Sequence, residues 1–156
     1  MKKKEMLILT GPTAVGKTKL SIELAKAVGG EIISADSVQV YKKMDIGSAK
    51  ILPKEMGGVR HHLIDVLSPD EKFDVFRFSQ MAKEAMQGIY ERGHIPVLVG
   101  GTGFYIQAVL YDIAFSEEET DSALRRQLEE EAAQKGNAYT VSYTHLRAHE
   151  TSQDLV

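Results

Sequence analysis

The sequence predicts an α/β fold, a parallel sheet flanked by helices, and three observations carry that expectation. Short apolar runs of strand length alternate with longer stretches whose apolar residues recur at helical spacing. Two of the apolar runs end in glycine turns that lead directly into helices. The first of those turns reads G-x-x-x-x-G-K-T, a pattern that binds phosphate when it lies between a strand and a helix.

The chain bears this out element by element. Met6 to Thr10 is continuously apolar up to its last residue, as expected of a buried parallel strand. It runs into Gly11, Pro12, Thr13, Ala14, Val15, Gly16, Lys17 and Thr18. Glycines let the backbone turn so that successive N–H groups point inward at phosphate oxygens. A helix starting near Lys17 adds the positive end of its dipole. Lys17 supplies a mobile cation for the terminal phosphate. Thr18 offers a hydroxyl to Mg²⁺, which tends to bridge phosphates rather than sit in an all-protein cage. The fold is thus expected to be P-loop NTPase-like, and the ligand a diphosphate or triphosphate, which the loop alone does not distinguish.

The first helix should stop at Gly29-Gly30. Glu31 to Ala35 is a second short strand, followed by Asp36-Ser37-Val38-Gln39-Val40-Tyr41. That stretch falls at the carboxyl edge of the sheet, where open α/β folds bind ligands. Asp36 there suits a metal-orienting, proton-accepting or helix-capping carboxylate. Residues 41–50 have turn character, and Pro53 and Gly57-Gly58 mark an irregular loop. A third strand lies within Val59 to Val66. His61 and His62 are adjacent, so on a strand they point to opposite faces and cannot chelate one metal; they are expected to be hydrogen-bonded polar residues at a strand entry. Ser68-Pro69-Asp70 opens a turn. Val75 to Arg92 is an amphipathic helix with Val75, Phe78, Met81, Ala82, Ala85, Met86, Ile89 and Tyr90 as its buried stripe, ended by Gly93. The methionines read as core filler. Ile95 to Val99 is a buried strand. Gly100-Gly101-Thr102-Gly103 then makes a second strand-to-helix turn before Phe104 to Leu110, with Thr102 its one hydrogen-bonding side chain. An acidic run at 116–120 reads as solvated, and Asp121 to Lys135 as a polar helix whose Arg125 and Arg126 are by spacing alone surface charge. Val141 to Val156 has no sustained period and little apolar content.

Composition narrows the function classes. The chain of 156 residues suffices for one domain with a sizeable core. A net charge of −3 argues against a surface that grips nucleic acid everywhere, while leaving room for a local basic groove. With no cysteine, disulfides, thiolate metal sites and cysteine nucleophiles are excluded, and a cytoplasmic location is expected. Met1-Lys2-Lys3-Lys4 resembles the start of a signal peptide, but Glu5 and the early Gly11-Pro12 leave too short an apolar run for one, or for a membrane span.

Taken together, five motifs resemble the bacterial tRNA dimethylallyltransferases, also called tRNA isopentenyltransferases or the IPP transferase family. They are residues 11–18, Ser-Ala-Asp-Ser-Val-Gln-Val-Tyr at 34–41, Met-Asp-Ile-Gly-Ser-Ala-Lys at 44–50, His-His-Leu-Ile-Asp at 61–65 and Val-Gly-Gly-Thr-Gly-Phe-Tyr at 99–105. Ser48 stands where the family usually has threonine. The resemblance implies transfer of a dimethylallyl group from dimethylallyl diphosphate to N6 of an adenosine beside the tRNA anticodon, with Mg²⁺. It implies that Gly11 to Thr18 hold the diphosphate, with Lys17 assisting departure and Thr18 on the metal. Asp36 would be the general base; Ser37, Val38 and Gln39 would line the place where the base enters; Thr102 would bond near the reacting groups or the tRNA; Arg125 would contact tRNA. The expected partners are tRNA and dimethylallyl diphosphate, with no membrane, and the chain is expected to be a monomer.

The likeness covers about residues 5 to 138. It implies that residues 1–138 are the amino-terminal portion of the transferase core, with the tRNA-binding insertion largely missing. Residues 139–156 resemble instead a translated adapter or read-through sequence, so the chain is expected to be a fragment that has kept its diphosphate site and lost much of its tRNA grip. Two competing readings follow. A small-molecule or nucleotide kinase would use the same loop for ATP, but it would need an arginine-bearing lid, and Val97-Leu98-Val99-Gly100 carries no acidic residue for Mg²⁺. A non-catalytic phosphate-binding fragment is the other.

Overall fold

In the computed structural model, residues 5–12, 14–113 and 122–135 are described. The chain divides into two compact units, 1–114 and 115–156. The first unit carries a four-stranded sheet formed by β1 (Leu7–Thr10), β2 (Gly30–Ala35), β3 (His61–His62) and β4 (Ile95–Gly100). Its helices are α1 (Lys17–Val28), α2 (Val75–Glu91) and α3 (Gly103–Leu110). In the second unit, α4 spans Ser122–Lys135. The acidic run at 116–120 and the 139–156 segment lie outside the described residues.

Every pairing is parallel, and the strand order is β1-β4-β2-β3. β2 and β4 are the inner strands and are buried on both faces; β4 accordingly reads as an apolar run, whereas β2 buries Glu31 and Ser34 among its apolar residues. Alternation along them sorts the two layers. Ile32 and Val97 face α1 and pack with Ala25 and Val59. Ile33 and Leu98 face the opposite layer, where Phe78, Ala82 and Ile89 of α2 meet Tyr105, Ile106 and Val109 of α3. Phe78 and Tyr105 stack with ring centroids 4.4 Å apart, which locks α2 to α3. Met81 and Met86 pack on this cluster as the spacing predicts.

Two strands depart from the sequence expectation. β1 was expected to be buried but is half-buried, because it pairs only along β4 at one edge of the described sheet. β3 is two residues long, because Leu63 and Asp65 take left-handed φ values of 62° and 54° that leave the extended region at once. The parallel pairing resumes only as a single bridge between Tyr41 and Leu67.

Helix ends follow local chemistry. The carboxylate of Asp74 accepts the Arg77 N–H at 2.8 Å and starts α2, and Gly93 at φ 75° ends it. Gly29 at φ 63° closes α1. Gly100 answers a different need. A Cβ there would lie 2.2 Å from the Ala35 carbonyl oxygen, so only glycine lets the ends of β2 and β4 approach and bring their loops together.

Candidate active site

The carboxyl ends of β1, β2 and β4 open onto one pocket of about 650 Å³. Its floor is the loop after β1: Gly11, Pro12, Ala14, Gly16, Lys17 and Thr18 all line it. Gly16, at φ 86°, is the N-cap of α1, and the first N–H groups of the helix have no capping side chain where Gly16, Lys17 and Thr18 line the pocket. Ala14 is also left-handed, at φ 64°, a conformation unusual for a residue with a Cβ and typical of ligand-cradling turns. The Lys17 ammonium donates to the Pro12 carbonyl oxygen of the same loop. Thr18 begins the second position of the helix, and its carbonyl accepts from the Ser21 hydroxyl at 2.8 Å.

Asp36, just past β2, also lines the pocket. Its Oδ1 accepts the Val38 and Gln39 N–H groups at 2.8 and 3.1 Å. The capping and chemical readings of this residue are therefore compatible: one oxygen fixes the turn, and the carboxylate is held at the pocket. Thr102 lines the opposite side as the N-cap of α3, with no hydrogen bond from its side chain to that helix. Gly100 and Gly101 complete that side.

Of the other residues expected at the site, Gln39 lines the pocket, whereas Val15, Ser37 and Val38 are not among the lining residues. The Gln39 amide is committed to the fold: Ser34 Oγ donates to its Oε1, and its Nε2 donates to the carbonyls of Ser48 and Ala49, each at 3.3 Å. Thr13 lies outside the described residues. Arg125 lies on α4, in the second unit, and its side chain is outside them too.

The sequence reading missed the side wall. Ser48, Ala49, Ile51 and Ile64 line the pocket together with Ile32, Val99 and His61. Ser48 and Ala49 come from a stretch whose spacing reads as a turn, and Ile51 follows it; the resemblance marked 44–50 as a motif, but nothing in its spacing signals a pocket. His61 and His62 do point to opposite faces. Since a carbonyl can only accept, His61 Nδ1 donates to Val59 at 2.9 Å, leaving Nε2 without a proton when the ring is neutral. Burial holds its pKa below the ordinary histidine range, with the neighbouring His62 acting the same way against the Val59 hydrogen bond. His62 turns away to Glu31, 2.6 Å distant, at the other end of the sheet. Among the described residues no group of three or more His, Cys, Asp or Glu side chains could cage a metal ion. A hydroxyl at Thr18 and a carboxylate at Asp36 on one pocket suit an ion that takes most of its ligands from a bound phosphate and water.

Comparison with known proteins adds a second line of argument. The profile of the family described as IPP transferase matches residues 39–154. The chain is 62% identical over 131 residues to the tRNA dimethylallyltransferase of Lachnoclostridium phytofermentans, covering 84% of this chain and 42% of that protein. Among solved structures, the full-length tRNA isopentenylpyrophosphate transferase of Bacillus halodurans superposes with a TM-score of 0.72 at 45% identity, over 96% of this chain and 48% of that one. A eukaryotic dimethylallyltransferase acting on tRNA superposes with a TM-score of 0.70 at 35% identity, over 81% of this chain and 31% of that one. The chain thus spans less than half the length of these relatives.

Proposed function

The chain belongs to the IPP transferase family, and from that premise we propose that its pocket is the prenyl-diphosphate site of a tRNA dimethylallyltransferase. The observation that carries the reading is convergence. The phosphate loop, Asp36 and Thr102, from three separate loops, line a single pocket at the carboxyl edge of the sheet. Dimethylallyl diphosphate matches its two characters. The diphosphate suits the N–H groups of the loop and the Lys17 ammonium, and the branched C5 chain suits the apolar wall formed by Ile51, Ile64 and Val99.

In the reaction, the C–O bond to diphosphate breaks while a bond forms between the allylic carbon and N6 of adenosine. Positive charge develops on the allyl fragment and negative charge on the leaving group. The loop N–H groups and Lys17 stabilise the departing diphosphate more than the intact ester, which is what lowers the barrier. Mg²⁺, held through Thr18 and the phosphates, would supply further charge neutralisation. As N6 becomes cationic, Asp36 takes its proton. The Val38 and Gln39 N–H groups occupy one carboxylate oxygen and fix the direction of the other. The adenosine must leave its stack to enter, at a cost of about a few kcal/mol. Among the described residues no helix is long and apolar enough to cross a membrane.

The test is single-turnover transfer of labelled dimethylallyl from its diphosphate to an anticodon stem-loop, with ATP and the same RNA in parallel. Label on the RNA that disappears in Asp36→Ala supports the transferase and its base. Saturable Mg²⁺-dependent diphosphate binding without transfer means that the chain keeps the diphosphate half of the site alone. ATP turnover with phosphate transfer would sink the assignment in favour of a kinase.

A further inference from the structure

The motif Met44–Lys50 has no part in the chemistry above, yet it contains the most heavily tied side chain near the pocket. The Lys50 side chain is only 3% exposed. Its ammonium has three N–H groups, and each has an acceptor: the Tyr41 carbonyl at 2.8 Å, Asp45 Oδ1 at 2.8 Å and Asp65 Oδ1 at 2.6 Å. These acceptors come from three stretches of chain: the end of the turn after β2, the 44–50 segment itself, and the segment after β3. Its neighbours in sequence face the other way, since Ser48, Ala49 and Ile51 line the pocket. Lys50 therefore ties that wall from behind. The Gln39 amide ties it from the front, through the Ser48 and Ala49 carbonyls.

Apolar packing does only part of this work, through buried Ile51 and Leu63. Ile46, at the tip of the segment, is fully exposed, at 101% relative accessibility. The backbone around the tie is strained: Lys43, Ala49, Leu63 and Asp65 all have left-handed φ values, of 63°, 49°, 62° and 54°. Each costs about 1–2 kcal/mol for a residue with a Cβ and persists only where surrounding contacts over-determine it. The Lys50 and Gln39 ties are among those contacts, beside the backbone bonds from Asp65 and Val66 to the Gln39 and Val40 carbonyls and the core packing of Leu63, and they are the ones that reach the wall.

We propose that Lys50 is a positioning residue for the organic end of the bound diphosphate ester. It holds Ser48–Ile51 as a fixed wall and so sets the fit of the transferred group without touching it. The inference rests on the reading that the pocket takes a short allylic diphosphate, and the experiment separates the two. Binding of dimethylallyl diphosphate and of inorganic diphosphate, each with Mg²⁺, is measured by titration calorimetry on the full chain, on Lys50→Met and on Asp45→Ala, with folding checked by circular dichroism. The unsubstituted chain should prefer the dimethylallyl ester. Folded Lys50→Met should lose on the order of tenfold in affinity for the ester, about what the fit of one methylene in an apolar pocket is worth, while inorganic diphosphate binds as before. A merely structural role would not move that ratio. Should Lys50→Met fail to fold, Asp45→Ala carries the test, because Asp45 is largely exposed and truncating it removes only one of three ties; it should show the same selective loss, smaller in size. Equal loss of both ligands, or no loss in a folded variant, overturns the proposal. An unsubstituted chain with no preference for the ester overturns the pocket reading itself, and the proposal with it.

Discussion

The two ends of the sheet are built by opposite rules. At the amino end of β2, Glu31 is buried and saturated. Arg92 donates to both of its oxygens at 2.8 Å, His62 and His94 lie 2.6 and 2.7 Å away, and Arg60 stands at 4.0 Å. At the carboxyl end, the charged groups line a pocket, and the backbone rather than side chains shapes the floor. One end places its polar groups where they satisfy each other, and the other places them where a ligand can be satisfied. A substitution at the first should therefore act on folding, and one at the second on binding and chemistry.

The strongest way to break that division is Glu31→Ala. Removing the carboxylate leaves the Arg92 guanidinium without its counter-charge and the His62 and His94 rings without their partner. The expected cost is about 3 kcal/mol, at the low end for a broken buried pair because Arg92 and His94 reach water. By calorimetry the melting temperature should fall by roughly 10 °C, while the affinity of the folded fraction for Mg²⁺–diphosphate stays unchanged. A matching loss of diphosphate affinity would mean that the two ends are coupled.

Asp36→Asn probes the other end and is next in size. Asparagine caps a turn as well as aspartate does, so the bonds to Val38 and Gln39 survive and the melting temperature should hold. Without a carboxylate to take the N6 proton, single-turnover transfer should fall by about a hundredfold, the lower range for loss of a general base. Normal transfer in Asp36→Asn would reduce Asp36 to a cap.

The difference between the ends also explains what could be read in advance. The glycine turn between β1 and α1, the strand-to-helix order and the α2 stripe are local patterns, and each appears where its spacing puts it. Gly100 reads as part of a turn, and the structure adds the reason, a carbonyl of β2 that leaves no room for a Cβ. Asp36 and Thr102 could be singled out because the carboxyl edge of a parallel sheet is a known place for ligands. The side wall from Ser48 to Ile51 could not, because it depends on Lys50 and Gln39 reaching across non-adjacent segments. The Glu31 cluster was invisible for the same reason: its partners are 31 to 63 residues away in sequence. Half-burial of β1 follows from strand order, which no local pattern encodes.

Acid should sharpen the contrast by a smaller amount. The bonds from Arg92, then His62 and His94, hold the Glu31 carboxyl well below its ordinary value of 4.5, against the desolvation that would raise it. The native state then binds fewer protons than the unfolded one in the acid range. The stabilisation is full above the unfolded value and is lost as pH falls below it toward the native one. Urea midpoints taken from neutral pH down into the acid range should fall more steeply for the unsubstituted chain than for Glu31→Gln, whose amide does not titrate. Parallel curves would show that other carboxylates dominate the acid response.

Arg60→Ala should have the smallest effect, and it tests whether the amino end is a set of pairs or a cooperative network. Arg60 stands 4.0 Å from Glu31 with its side chain 63% exposed, so water screens the pair and its removal should cost no more than about 0.5 kcal/mol. Arg92 already engages both carboxylate oxygens, and the two histidines occupy their remaining directions. If Glu31 is satisfied by these three alone, Arg60→Ala leaves the urea midpoint within error, and Arg60→Ala combined with Glu31→Ala behaves as Glu31→Ala does. A clear loss in the single variant, absent from the double one, would make Arg60 a full member of the cluster. The amino end would then owe its stability to the summed field of its cations rather than to the bonds Glu31 accepts.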